Sequence, residues 1–318
     1  RLIVGAWPHP LSASTKAGDV DFGLDSQAPL EEMELQYVDY WLRGRKGWKR
    51  DLPAPSEARQ AGEAPMRIFI MGANRWRGEH EWPLARTQWT PFYLHSRGHA
   101  NTLDGDGWLS PDPSEDEPAD RFLYDPRDPV PTIGGNNCCR PDIVPYGPYD
   151  QRPAERRKDV LVFSTPPLDR DLEVTGPIIV KLFASSSAAD TDFTAKLVDV
   201  SPDGYAMNLC DGIIRARYRQ SFAKAALLHP GVVYEFTIDC WVTGNLFKKG
   251  HRIRLDISSS NFPRFDRNPN TGHPLGLDAL LRPARQTVFH NRRYASHVIL
   301  PVIPAGDAAR NCREHARA

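Results

Sequence analysis

His9 is the residue whose type and position could do acyl-transfer chemistry. It lies in Gly5-Ala6-Trp7-Pro8-His9-Pro10, just past the apolar run Leu2-Ile3-Val4. That run reads as a buried strand ending at Gly5, with His9 on the loop that follows. An imidazole placed there can take a proton from a hydroxyl nucleophile and return it to a leaving group, provided a carboxylate orients it. In a serine hydrolase built on an α/β sheet, the serine and the acid precede the histidine in the chain. The histidine then follows the last core strand and is followed by a final helix. Residues 2–44 offer strand, loop and helix in that order. Such units are common, so the spacing alone leaves a plainer reading open, a loop histidine without a task.

The other chemistry-bearing residues point less far. There is no G-x-S-x-G, G-x-G-x-x-G, P-loop or H-E-x-x-H, and the ten histidines are scattered. Ser185–Ser187 and Ser258–Ser260 sit at strand ends without flanking glycines and read as sheet-edge hydroxyls. Asp190, Asp192 and Asp199 lack the glycine-centred loop of a calcium site, so no metal and no cofactor is expected. The five cysteines, Cys138, Cys139, Cys210, Cys240 and Cys312, are odd in number and form no C-x-x-C. Cys138 and Cys139 are adjacent, too close for a relaxed bridge, so reduced cysteines are expected. The charged stretch Arg264-Phe265-Asp266-Arg267-Asn268 reads as a loop that pairs its own charges to hold an irregular turn, and Asp112–Asp120 as a solvated loop.

The elements that must position His9 follow from pattern. The 318 residues are 40% hydrophobic and 25% charged, with 8 Trp, 10 Tyr and 13 Phe, enough for a sizeable core. The formal net charge of +0 gives no electrostatic case for nucleic acid or an anionic membrane. No apolar run approaches the ~20 residues that cross a bilayer. Met33, Tyr37, Val38 and Trp41 recur at helical spacing and predict an amphipathic helix over Glu31–Leu42, packed on something, with Pro29 in its first turn and Gly44 as its stop. Residues 45–65 look like a linker. Strands are then predicted at Arg67–Met71, Phe92–His95, Asp159–Ser164, Ile178–Ser185, Phe193–Val200, Ile213–Tyr218, Val232–Val242, Ile253–Ser258 and Ala295–Ile303. Residues 110–156 and 261–285 read as long irregular excursions. Many strands without long intervening helices, and 29 prolines, predict a β-sandwich or barrel.

Gly5-Ala6-Trp7-Pro8-His9 resembles the G-P-W-S-H type segment of the cocaine esterase / X-Pro dipeptidyl-peptidase (CocE/NonD) family of serine hydrolases. The resemblance continues in order through Tyr40-Trp41-Leu42-Arg43-Gly44, Arg67–Gly72 with Trp76 and Glu81–Leu84, and Tyr124-Asp125-Pro126 with Asp128–Pro131 and Gly134-Gly135. It then takes in Asp190–Phe193, Asp199–Gly204, Ser258–Asn268 and Asn270-Thr271-Gly272. Ala6 and Pro8 depart from the family segment.

The resemblance implies a mainly β chain. A C-terminal jelly-roll β-sandwich would be preceded by the last strand and helix of an α/β-hydrolase core. Residues 1–50 would be the tail of that core, 51–65 a linker, 66–305 the jelly roll and 306–318 a frayed tail. His9 matches the family's catalytic base. The family's serine, acid and oxyanion-binding tyrosine lie before the equivalent of Arg1, so this chain alone is expected to be inactive. The expected partners are a small acyl ester, amide or peptide substrate and the missing N-terminal hydrolase core, with homo-oligomer contacts through the jelly roll and no nucleic acid or membrane. A cytoplasmic location is expected. Two alternatives stand beside this reading: a non-catalytic jelly-roll binding module, and the partner chain of a split hydrolase exposing apolar faces at residues 2–4 and 33–41.

Overall fold

The computed structural model describes residues 2–9, 14–43, 64–138 and 140–305. The expected helix stop at Gly44, nearly all of the linker and the tail at 306–318 lie outside them. The chain opens with β1 (Leu2–Val4), a hairpin of β2 (Lys16–Ala17) and β3 (Val20–Asp21), and a 3-10 turn at Leu24–Ser26. Helix α1 (Leu30–Arg43) follows, then β4 (Met66–Ile70) and β5 (Arg75–Glu79). β1 pairs with β4 in parallel, Leu2 opposite Met66, and β5 pairs antiparallel with β4. A parallel pair needs a crossover, and α1 lies within it. The sheet order β1-β4-β5 leaves β1 on an edge.

The remaining strands build one twelve-stranded sheet. They are β6 (Gln88–His95), β7 (Trp108–Ser110), β8 (Asp120–Tyr124), β9 (Leu161–Ser164), β10 (Leu172–Ser186) and β11 (Asp192–Val200). They continue with β12 (Ala206–Arg215), β13 (Tyr234–Phe247), β14 (Arg252–Ser258), β15 (Ala284–Asn291), β16 (Tyr294–Ala295) and β17 (His297–Ile303). The layer β12-β11-β14-β9 joins the layer β7-β6-β17-β10 only through the β7–β9 contact of Trp108 with Ser164. The two layers face each other: Phe193 of β11 meets Phe236 of β13, which pairs with β10, at 4.8 Å between rings. Period-2 alternation sends Val180, Leu182 and Ala184 of β10 inward, onto Leu197, Leu255 and Ile257 of the other layer. This is the expected mainly β sandwich.

Several elements differ from expectation. The sheet expected to begin at residue 66 takes its first strand at Gln88, since β4 and β5 pair with β1 instead. β12 begins at Ala206, and Ala216–Tyr218 is a 3-10 turn rather than the end of a strand. β7 ends where the first excursion begins, β8 lies inside it, and β15 starts at the end of the second one. Helix α1 has no fully buried residue; of the stripe, Met33 is half-buried and Tyr37, Val38 and Trp41 are exposed among the described residues.

The polar groups mostly hold turns, though Arg264 and Asp266 pair with β12 and not within their own loop. Arg264 pairs with Asp211, Asp266 with Arg215, and the Asn268 amide bonds both Asp190 and Asp192. Asp199 is held by His251 and Asn245. The Ser258 hydroxyl donates to the Asp159 carbonyl, and Ser260 accepts from the Val130 amide. Cys210 and Cys240 are free and buried, but Cys138 is disulfide-bonded, contrary to the expectation of reduced cysteines; its partner lies outside the described residues.

Candidate functional site

His9 is exposed and lies on the wall of a cavity of about 690 Å³. The cavity forms where the small sheet meets the sandwich. Leu2, Val4 and Trp7 contribute from β1 and its loop, Phe69 and Met71 from β4 and just beyond it. The opposite wall comes from Asn136, Asn137 and Tyr146 of the excursion, Met207 and Asn208 of β12, and Val242 and Thr243 of β13. The wall is mostly apolar with a few amides, the composition of a small-molecule site.

The loop that carries His9 is fixed by its neighbours. Trp7 folds back over Gly5, where any Cβ would come within 2.4 Å of the indole; only glycine permits this. The Trp7 indole N–H donates to the Ser26 carbonyl at 2.7 Å, and the Trp76 indole N–H to the Asp25 carbonyl at 2.7 Å. The two indoles meet at 5.5 Å, and Trp76 also stands edge-on to Phe69 at 5.4 Å. Phe22, Phe69 and Ala17 form a small buried cluster beneath.

The β2–β3 hairpin docks on the far wall. Asp19 donates its amide to the Pro148 carbonyl at 2.9 Å. Gly18 and Gly147 both have positive φ and touch backbone to backbone: a Cβ on Gly147 would lie 2.6 Å from the Gly18 nitrogen. Asp19 also faces Tyr205, whose phenol is pushed up to about 12, by burial first and then by the Asp19 and Asp150 charges. The described residues contain no group of three or more His, Cys, Asp or Glu able to hold a metal.

His9 is therefore brought to a cavity, while Ser185–Ser187, Ser258–Ser260 and the Asp190, Asp192 and Asp199 carboxylates are not part of its wall. The residues that sequence reasoning missed are those of the far wall. They come from three distant segments with no shared motif, and only the Gly134-Gly135 pair gave a local hint.

Comparison with known proteins decides the family. The X-Pro dipeptidyl-peptidase C-terminal non-catalytic domain matches residues 59–299, more than half of the chain. The chain belongs to this family. Cocaine esterase of Rhodococcus sp. (strain MB1 Bresler) is 44% identical over 305 residues, covering 95% of this chain and 51% of that protein. An aminopeptidase from a Thaumarchaeota archaeon of marine sediment superposes with a TM-score of 0.80 at 28% identity, over 95% of this chain and 49% of that one. An α-amino acid ester hydrolase gives 0.77 at 27% identity, over 95% and 50%. The chain thus spans about half the length of the relatives it matches, and corresponds to the C-terminal portion of CocE/NonD hydrolases. No helix of the described residues is long and apolar enough to cross a membrane.

Proposed function

We propose that this chain is the C-terminal part of a serine hydrolase that cleaves ester or amide substrates, acyl or X-Pro dipeptidyl, through an acyl-enzyme. Serine attacks the carbonyl, and His9 takes its proton and returns it to the leaving group. An aspartate orients the imidazole. The serine and the aspartate belong to polypeptide outside this chain, so the chain alone is inactive. The sandwich supplies the far wall of the cleft and no reacting group, in keeping with the family's description as non-catalytic.

The observation that carries this reading is His9 on the lip of a cavity walled by both sheets. Two others support it. β1 pairs in parallel with β4 at the edge of its sheet, and its other side is open to a further strand among the described residues. Among the described residues Trp41, Leu35 and Leu42 of α1 are exposed, an apolar face open to a packing partner. The test is to sequence the coding DNA directly upstream of the Arg1 codon. An open frame carrying G-x-S-x-G and an acid ahead of His9 supports the reading, and His9→Ala in that full protein should abolish hydrolysis. A stop codon followed by a start near Arg1, with no serine-bearing partner chain, overturns it in favour of a binding module.

A further inference from the structure

We infer that Trp76 is a positioning residue for His9, an inference that rests on the reading of His9 as the general base. Among the described residues the His9 imidazole has no hydrogen-bond partner of its own. Its placement must therefore come from the loop that bears it. That loop is tied down by Trp7, two residues before His9, through one hydrogen bond to the Ser26 carbonyl and one face against Trp76. Trp76 closes the arrangement from β5. Its N–H takes the neighbouring carbonyl, Asp25, so that two indoles hold two successive carbonyls of the same 3-10 turn.

The anchor behind Trp76 is firm. It stands against Phe69, which is buried, and the Arg67 guanidinium lies 5.6 Å from its ring centroid. Trp76 is thus linked to His9 through Trp7, although sixty-seven positions separate them in sequence. Removing its N–H frees the Asp25 carbonyl and loosens the turn that Trp7 grips, while the ring packing can remain. A base displaced by about 1 Å loses on the order of a hundredfold in rate, because proton transfer needs hydrogen-bond reach. Substrate affinity, set by the cavity walls, is untouched.

The experiment uses the hydrolase assembled with its serine-bearing half, and a p-nitrophenyl ester of a short acid as probe. Trp76→Phe keeps an aromatic ring and deletes the N–H. The expected result is a fall in kcat of about ten- to a hundredfold with KM changed less than about threefold. Trp76→His, which restores a ring N–H, should recover part of kcat. Unchanged kcat in folded Trp76→Phe, or losses only in proportion to a lowered melting temperature, would overturn the inference. Should Trp76→Phe not fold, Trp7→Phe removes the other indole N–H and must show a loss of kcat of the same size, whatever KM does, since Trp7 also lines the cavity; normal kcat there overturns the inference as well. His9→Ala, measured in parallel, separates the two levels. If it retains full activity, the reading of His9 as base falls and this inference with it. If it is inactive while both indole variants are normal, only this inference falls.

Discussion

The two sides of the cavity are built on opposite terms. The sandwich is closed on itself: Phe163, Phe193, Phe236 and Phe247 are fully buried, and its inner charges are paired, Arg217 with Asp190 and Arg254 with Glu155. The amino-terminal segment has almost no interior. Helix α1 buries nothing, β1 is an edge, and the hairpin leans on Pro148 of the other side. Stability and candidate chemistry therefore sit in different places. His9, the proposed base, is carried by the region with the least packing of its own, and its rigidity is borrowed through two indoles and one glycine contact.

That contrast can be broken in four ways. His9→Ala in the assembled hydrolase should cost at least about 10^4-fold in kcat. It should leave the melting temperature alone, because His9 is exposed. A matching drop in thermal stability would mean that the histidine is structural. Phe193→Ala is the converse. It should cost about 3–5 kcal/mol in chemical denaturation, and any protein that remains folded should keep its kcat; a stability loss under about 1 kcal/mol would show that the core is not where stability resides.

Gly147→Ala probes the seam. The new Cβ meets the backbone of Gly18 and Ala17 at positive φ, a strain of order 1–3 kcal/mol. Because the strain pushes the hairpin, kcat should fall by more than its melting shift accounts for, and an unchanged kcat would uncouple the wall from the loop.

The smallest effect is one of pH. Burial pushes Glu155 up to about 8 and Asp256 up to about 6, and the Asp256 charge adds to the rise at Glu155. A carboxyl raised in the folded state binds more protons there than in the unfolded chain, so its contribution is complete at low pH and lost as pH rises through the folded value. Stability should decline from about pH 5 to pH 8, and Asp256→Asn should flatten that slope. The one lowered carboxyl in the amino-terminal segment, Asp21, is held down by the Gly23 amide and acts below that window. Denaturation curves at the two pH values check this; greater stability at pH 8 would refute it.

Much of the sandwich could be read in advance, because strands such as Phe193–Val200 and Ile253–Ser258 are dense in β-branched and aromatic residues. The elements that escaped were those whose alternation is interrupted. β12 opens as Ala-Met-Asn-Leu-Cys-Asp-Gly, β8 is embedded in an acid-rich stretch, and β5 reads Arg-Trp-Arg-Gly-Glu with no apolar face. β10 runs six residues further back than expected, because Gly176-Pro177 punctuates it at a register shift without ending it. The pattern raises His9 but leaves a taskless loop histidine open beside it, since a strand–loop–helix unit does not single out a base; the resemblance alone favours the catalytic role. Of the far wall only the Gly134-Gly135 pair was legible: it exists only once the excursion, β12 and β13 are folded together.

Arg77 of β5 is buried between Glu79 and Glu173 of β10, 2.5 Å from the first and 2.6 Å from the second, and Arg86 caps Glu79. The small sheet and the sandwich are therefore welded by charges that have left water together. Excising the sandwich between Glu79 and Gln88 would take Arg77 from Glu173, and a new surface laid over that carboxylate without a guanidinium would leave it buried and unpaired, at a cost of several kcal/mol. Grafting it onto another hydrolase would succeed only where the recipient offers a guanidinium at the same spot. The sandwich is an independent shape but not an interchangeable part.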